Sequence, residues 1–232
     1  MRYYVVVTLA IFGLVTGLIL YSPVSFVTGE DMEEGLALIV VSDYAGGCHS
    51  ETQKGIDFYD HLIQKGYGHG DIVLLAPTGV PNRDNSPTKT NIVSALQDIA
   101  DDTDDEKEVV IWISDHIGAE TNSTFFRFTD GNLATSDMDD ELDEIECGDM
   151  TVIIGGSYSG LAGPDLYETG RTIITSMDDD QDYTPDLFDI ARGLRTPSAD
   201  SNDNGIISFR EAYASEVSQI SWSGQYPMIW ED

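Results

Sequence analysis

The most regular feature of the chain is a series of short, uninterrupted apolar runs that are rich in β-branched residues. Such runs are typical of strands buried on both faces of a sheet, because an exposed face would require alternating polar positions. The pattern predicts strands over residues 36–42, 71–76, 109–114, 150–155 and 171–176, with a shorter amphipathic strand over 125–129.

Between these runs, apolar residues recur every three or four positions, the spacing that places them on one face of a helix. The segments with this spacing are 52–65, 88–100, 185–194 and 208–217. Gly66 follows the first segment, where a glycine commonly ends a helix. Buried strands that alternate with helices indicate a parallel sheet with helices on both faces. The predicted fold class is therefore α/β, a three-layer sandwich with a mainly parallel central sheet.

The N-terminus differs from the rest of the chain, because residues 3–21 are almost wholly apolar. A run of this length is sufficient for one helical membrane span. We interpret residues 1–23 as a retained signal anchor, with a cleaved signal peptide as the alternative. Residues 24–35 then form a tether, 36–195 the α/β domain, and 196–232 a C-terminal part packed on the same domain. The protein is expected to be membrane-anchored with an extracytoplasmic domain, or secreted.

The charge of the chain excludes several classes of partner. There are 42 acidic and 11 basic residues, which give a formal net charge of −31. A field of this sign repels nucleic acid and anionic membrane surfaces, so contact with a membrane is expected through the N-terminal helix only. We interpret the acidic residues as a solvated surface whose self-repulsion is screened by salt.

Ligands and chemistry in a parallel α/β sheet collect at the carboxyl ends of the strands. In this chain that edge receives three loops, 43–49, 115–118 and 156–160. The last loop contains Ser157 in a turn of small residues, but no histidine follows this serine in the chain. An α/β-hydrolase has its histidine last in chain order, so that fold is excluded.

Five residues in these loops are candidates for chemistry. Ser157 is the candidate nucleophile and His116 is the best available base. Asp43 or Asp115 is placed to orient the imidazole, as the third member of a catalytic triad does. Cys48, in the first loop, is an alternative nucleophile.

The order of these residues resembles that of the caspase-like (clan CD) cysteine peptidases, and the legumain-type branch most closely. The resemblance covers roughly residues 36–232 and implies a caspase/legumain-like fold. It rests on these segments: 36–43, Pro87-Thr88 with Asn91, Ser114-Asp115-His116, Gly156-Ser157-Tyr158-Ser159-Gly160 and Gln225-Tyr226-Pro227.

The resemblance implies specific roles and also shows two departures from the family. A histidine followed by glycine acts as the base in that family, and backbone N–H groups at this glycine and at the nucleophile form the oxyanion hole. These roles fall on His116, Gly118 and Ser157. However, Ser157 replaces the family's cysteine, and Ile117 separates His116 from Gly118. The family's pocket for asparagine is not recognisable, because its basic residue falls on Ser50.

These departures predict a degenerate peptidase that binds a peptide or protein ligand. The alternative is an active peptidase that hydrolyses peptide bonds with Ser157 as nucleophile and His116 as base. A third hypothesis is a structural surface protein that uses the same fold without a ligand.

Residues 200–211 match the EF-hand calcium loop at every position that the pattern specifies. The expected oxygen ligands are the side chains of Asp200, Asn202, Asn204, Ser208 and Glu211 and the carbonyl of Ile206. A similar loop occurs in microbial relatives of the caspase-like fold. Calcium is therefore the expected cofactor, with the role of bracing the last helix, and the alternative is a surface turn that binds no metal.

Overall fold

The structure is a computed structural model that describes residues 35–42, 49–120, 123–182 and 186–232. Its strands are β1 (Gly35–Val41), β2 (Ile72–Leu75), β3 (Glu108–Ser114), β4 (Ile117–Glu120), β5 (Ser123–Phe128), β6 (Gly131–Ala134), β7 (Asp149–Gly155), β8 (Arg171–Thr175) and β9 (Met228–Trp230). Its α-helices are α1 (His49–Lys65), α2 (Lys89–Asp102), α3 (Thr135–Asp143), α4 (Gly163–Leu166), α5 (Ile190–Leu194) and α6 (Phe209–Ile220).

The central sheet has six strands in the order β2-β1-β3-β7-β8-β9. The first five strands in this order are parallel to one another, and β9 is antiparallel to β8. β3 lies near the middle and pairs along its whole length with β1 on one side and β7 on the other. The fold class is therefore α/β with a mainly parallel central sheet, as the apolar runs predicted.

Helices cover both faces of this sheet, because successive residues of a strand point to opposite sides. On one face, Ile111 of β3 belongs to a core that includes Leu96 of α2 and residues of α3 and α4. On the other face, Trp112 of β3 belongs to a core with Phe58 of α1 and residues of α5 and α6. These two cores explain why β1, β3 and β7 are apolar at nearly every position.

A second, three-stranded antiparallel sheet is formed by β4, β5 and β6, in the chain between β3 and β7. Its inward side chains, Phe126, Phe128 and Leu133, join the core on the α2 face of the central sheet. Because β4 begins at Ile117, this small sheet fixes where the chain goes directly after the candidate base His116.

The strands predicted from apolar runs are confirmed, and helices 52–65, 88–100 and 208–217 are confirmed with ends that differ by at most three residues. The predicted helix 185–194 is shorter in the structure, where α5 begins at Ile190. The side chain of Asp189 accepts a hydrogen bond from Arg192 N and caps α5 at this point. The predicted anchor over 1–23 and nearly all of the predicted tether lie outside the described residues.

Residues 196–232 supply α6 and β9. Glu216 of α6, whose side chain is fully buried, pairs with Arg192 of α5. The two helices also approach closely at Gly193, where a Cβ atom would lie 2.6 Å from the carbonyl oxygen of Ala212. β9 then pairs with β8 at the edge of the central sheet.

Candidate functional site

The carboxyl ends of β3 and β7 are adjacent, with Ser114 paired to Gly155. The main chain continues this pairing beyond the two strands. Asp115 N donates to the carbonyl oxygen of Gly155 at 3.0 Å, and Ile117 N donates to the carbonyl oxygen of Ser157 at 3.2 Å. His116 and Ser157 therefore lie on neighbouring segments at the same edge of the sheet.

The hydroxyl of Ser157 has a different partner from the one that the triad model predicts. Ser157 Oγ donates to Asp182 Oδ1 at 2.7 Å, and the residue is only 3% exposed. Among the described residues, no hydrogen bond joins this hydroxyl to the half-buried ring of His116. Asp182 follows β8 in the chain and was not identified from the sequence, because no motif connects it to Ser157.

The turn that carries Ser157 is rigidly held. Gly156 has a φ of 119°, and a Cβ atom there would lie 2.0 Å from the carbonyl oxygen of Asp115, so glycine is required at this position. Gly156 N donates to Ser176 Oγ at 3.0 Å and is 3.3 Å from Asp186 Oδ2. The position of Ser157 is therefore fixed by the ends of β3 and β8.

The residues after His116 enter the small sheet directly. Ile117 is buried in the core and pairs with Phe126, while Gly118 pairs with Phe125. A Cβ atom on Gly118 would lie 2.4 Å from the ring of Phe125 and 2.8 Å from Arg127 Nε. Packing against β5 is thus sufficient to explain glycine at position 118.

Asp115 is a buried carboxyl group at the same edge, and one of its oxygens has no hydrogen-bond partner. Burial raises its pKa to about 7, although a hydrogen bond from Ser42 and the backbone N–H groups of His116 and Arg127 act in the opposite direction. The other proposed orienting group, Asp43, and the alternative nucleophile Cys48 lie outside the described residues.

Behind the Ser157 turn lies a cluster of charged side chains that the sequence analysis missed. Lys54 Nζ donates to Glu51 Oε1 at 2.9 Å and lies 3.7 Å from Asp186 Oδ2. Ser114 Oγ donates to Glu51 Oε2 at 2.9 Å. Burial raises the pKa of Glu51, although Lys54 lowers it. Glu51, Lys54 and Asp186 line a cavity of about 10 Å³, which is room for one water molecule.

The only sequence signal for this cluster was the position of Glu51 and Lys54, one turn apart at the start of α1. That helix follows the first loop at the carboxyl edge, so both side chains are directed to the ends of the strands. Asp186 arrives from the loop after β8, and no local pattern in the sequence connects it to α1.

The predicted calcium loop folds into a tight turn before α6. The carboxylate of Asp200 accepts hydrogen bonds from Asn204 N at 3.1 Å and from Gly205 N at 2.9 Å. Asp203 and Gly205 have φ values of 56° and 85°, and the neighbouring Ile207 packs against the core.

Glu211 closes the loop. Its two carboxylate oxygens accept hydrogen bonds from the N–H and hydroxyl groups of Ser201 and Ser208. These bonds, led by the one from Ser208 N, lower the pKa of Glu211 to about 2. Asp200 and Glu211 thus supply hard oxygen donors of the type that calcium prefers.

Separately, Asp178, Asp179 and Asp180 have carboxylate oxygens within 4.8 Å of one another on the loop after β8.

Comparison with known proteins gives a similarity of fold. No protein-family model and no curated protein matches the chain. The crystal structure of protein GSU0716 from Geobacter sulfurreducens, a Northeast Structural Genomics target, is similar with a TM-score of 0.60 and 15% sequence identity. The similarity covers 86% of this chain and 94% of that chain. At this identity it shows the α/β fold alone.

Proposed function

We propose that the protein is a caspase/legumain-like degenerate peptidase, which binds a peptide or protein ligand at the carboxyl edge of its sheet without cleaving it. The observation that carries this proposal is the hydrogen bond from Ser157 Oγ to Asp182 Oδ1. A serine has one hydroxyl proton, so a hydroxyl that donates to Asp182 does not donate to His116. The imidazole is then not hydrogen-bonded to the hydroxyl whose proton a general base would remove.

Two further observations support the proposal. Ser157 is buried, whereas a nucleophile must approach the scissile carbonyl carbon to about 3–3.5 Å. Serine also lacks the thiolate on which the resembling family relies. The position of His116 beside Ser157 supports the alternative, an active peptidase with Ser157 as nucleophile and His116 as base, and this alternative is tested in the same experiment.

The test is cleavage of a diverse peptide library by the full-length protein in detergent, with calcium present. We expect the wild type to release no more product than Ser157→Ala and His116→Ala. Asp182→Asn is the informative third variant, because it weakens the acceptor that holds the Ser157 hydroxyl. Cleavage by the wild type that both alanine variants abolish would establish the active peptidase and refute the degenerate site.

We also propose that residues 200–211 bind calcium and brace α6. The proposal is supported by the match to the EF-hand pattern and by the two carboxylates, Asp200 and Glu211, at the first and last positions of the loop. When bound, calcium would be held by the oxygen ligands predicted above. Its charge would offset the negative charges of Asp200 and Glu211.

Titration calorimetry with calcium checks this site. We expect Glu211→Gln to weaken binding at least tenfold, because it removes the bidentate carboxylate. Glutamine preserves the capping box with Ser208, so α6 retains its N-terminal cap. Asp203→Asn, which changes a loop position outside the expected ligand set, is the control and should bind like the wild type. Equal heats for all three proteins would contradict calcium binding.

We propose that the N-terminal segment anchors the protein in a membrane, with the α/β domain on the extracytoplasmic side. Support comes from the apolar composition of residues 3–21. In the part of the chain that the structure describes, no helix is sufficiently long and apolar to cross a membrane. Fractionation of cells expressing the full chain, followed by protease treatment of intact cells, tests both the anchor and its orientation.

A further inference from the structure

The side chain of Gln225 is inserted into the carboxyl edge of the sheet, beside the charged cluster. It is 2% exposed and all of its polar atoms have partners. Gln225 Nε2 donates to the carbonyl oxygen of Ser176 at 2.8 Å and to Asp186 Oδ1. Leu187 N donates to Gln225 Oε1 at 2.9 Å. The carboxamide therefore has two acceptors for its N–H groups and one donor for its oxygen.

The groups that surround this carboxamide are held in place by contacts other than Gln225. Asp186 Oδ1 also accepts from Phe188 N at 3.0 Å, and Asp186 Oδ2 faces Gly156 N and Lys54 Nζ. Lys54 Nζ additionally donates to the carbonyl oxygen of Asp186 at 2.9 Å. The pocket is thus built from the Ser157 turn, α1 and the loop after β8, and Asp186 is joined to each of them by hydrogen bonds that do not involve Gln225.

The chemistry of the pocket is selective for a primary carboxamide. A carboxylate at the position of Gln225 would place a second negative charge against Asp186 and the Ser176 carbonyl oxygen. An apolar side chain would leave the two acceptors and the Leu187 N–H buried without partners, which is costly. A tertiary amide has no N–H group to donate to Asp186.

The segment that carries Gln225 lies on the surface. Gln181 links it to the Ser157 region, because Gln181 Nε2 donates to the Gly224 carbonyl oxygen at 2.7 Å and Tyr158 N donates to the Gln181 carbonyl oxygen at 2.8 Å. On either side of Gln225, Trp222 is 79% exposed and Tyr226 is 62% exposed. Within residues 221–226, the buried side chain of Gln225 therefore belongs to a turn whose other residues are mostly exposed.

We infer that this pocket is a binding site for primary carboxamides and that Gln225 is its intramolecular ligand. The C-terminal segment fills the pocket next to Ser157, and a free carboxamide binds there when the Gln225 side chain is removed. This inference does not depend on whether the protein cleaves peptides, because it concerns the pocket's hydrogen bonds.

The test is a rescue experiment on the full-length Gln225→Ala variant, with propionamide as the probe because it matches the removed side chain. We expect the substitution to lower the Tm and propionamide to raise it again in a saturable manner. Propionate and N,N-dimethylpropionamide should have no such effect, and neither should propionamide on the wild type, whose pocket is filled. Absence of rescue, or equal rescue by N,N-dimethylpropionamide, would overturn the inference.

If Gln225→Ala does not fold, Gln225→Glu provides a second test. A protonated glutamic acid can still donate to Asp186 and accept from Leu187 N, whereas the carboxylate cannot donate. The Tm of Gln225→Glu relative to the wild type should therefore fall as pH rises through the pKa of the introduced group. A Tm difference that does not change with pH would contradict the inference. Both readouts are measurements of stability, so failure of the proposed peptidase-like function would not affect them.

Discussion

At the scale of single residues, His61 on α1 is a buried histidine whose ring lacks one hydrogen-bond partner. It is 8% exposed, and its Nε2 atom has no hydrogen-bond partner. Burial, followed by the nearby charges of Lys65 and Arg195, lowers its pKa from 6.5 to about 4. Protonation of this ring is therefore disfavoured in the folded protein.

We predict that His61 makes the free energy of unfolding fall on acidification. The folded pKa lies below the unfolded one, so the unfolded state binds more protons between these two values. Stability is complete above pH 6.5 and decreases toward pH 4, by about 2 kcal/mol between pH 7.5 and pH 5. Urea unfolding of the wild type and of His61→Phe across this range measures the difference.

The carboxyl groups that also titrate in this range are common to the wild type and His61→Phe and cancel in the comparison. Parallel pH profiles for the wild type and His61→Phe would show that His61 is not the source of the acid lability.

At the scale of elements, the contact between α5 and α6 depends on one buried charge. Glu216 accepts hydrogen bonds from Arg192 Nε at 3.0 Å and from Asp189 N at 3.2 Å, and its side chain is fully buried. Burial raises its pKa, while Arg192 acts in the opposite direction. Removal of the carboxylate would leave the donors at the start of α5 without their acceptor.

We expect Glu216→Ala to lower the free energy of unfolding by about 2 kcal/mol, because it removes a fully buried carboxylate that accepts from Arg192 and Asp189 N, while the Arg192 side chain is 43% exposed and can be solvated. Glu231→Ala is the comparison, since it removes an ion pair with Arg210, whose side chain is 73% exposed. Such a surface pair contributes at most about 1 kcal/mol. Chemical denaturation measures both, and equal losses would argue against a special role for the buried pair.

The sequence predicted the strands that are surrounded by apolar side chains along nearly their whole length. β1, β3 and β7 are covered on both faces, so each is a continuous apolar run that pattern alone identifies. β4, β6 and β9 have only three or four residues, too few to show a period, and α3 is an acidic helix with few apolar residues. These elements are determined by tertiary pairing rather than by local composition.

In the candidate site, too, some residues could be predicted from the sequence and others could not. The carboxyl-edge rule brought His116 and Ser157 to neighbouring segments, because strand order follows from the fold class. The partners Asp182, Asp186 and Gln225 come from loops without secondary structure, at distances of 25 to 68 residues from Ser157. No spacing rule relates such positions, so these contacts required coordinates.

At the scale of the whole molecule, the dominant property is the net charge of −31. Like charges at this density repel one another more strongly in the compact folded state than in the expanded unfolded chain. The Debye length falls from about 10 Å at 0.1 M ionic strength to about 3 Å at 1 M. Screening should therefore favour the folded protein.

We predict that the Tm rises by several degrees between 0.1 M and 1 M NaCl in thermal unfolding followed by circular dichroism. A variant with Asp178, Asp179 and Asp180 replaced by asparagine should have a higher Tm at low salt and a smaller rise. These three carboxylates lie within 4.8 Å of one another, and a side-chain hydrogen bond with Asp178, together with the charges of Asp178 and Asp180, raises the pKa of Asp179. A Tm that is independent of salt would show that self-repulsion is not a significant destabilising term.

The position of Ile117 in β4 limits which engineered variants of the chain can keep the β4–β5 pairing. Deleting this residue to restore a histidine–glycine pair would shift β4 by one position against β5. Because side chains alternate between the two faces of a strand, Gly118 would then move into the core position of Ile117 and leave a void opposite Phe126. A deletion that brings His116 and glycine together therefore damages the hydrophobic packing of the hairpin. Such an engineered variant would need compensating mutations in β5, so no single step produces a well-packed histidine–glycine pair at this position.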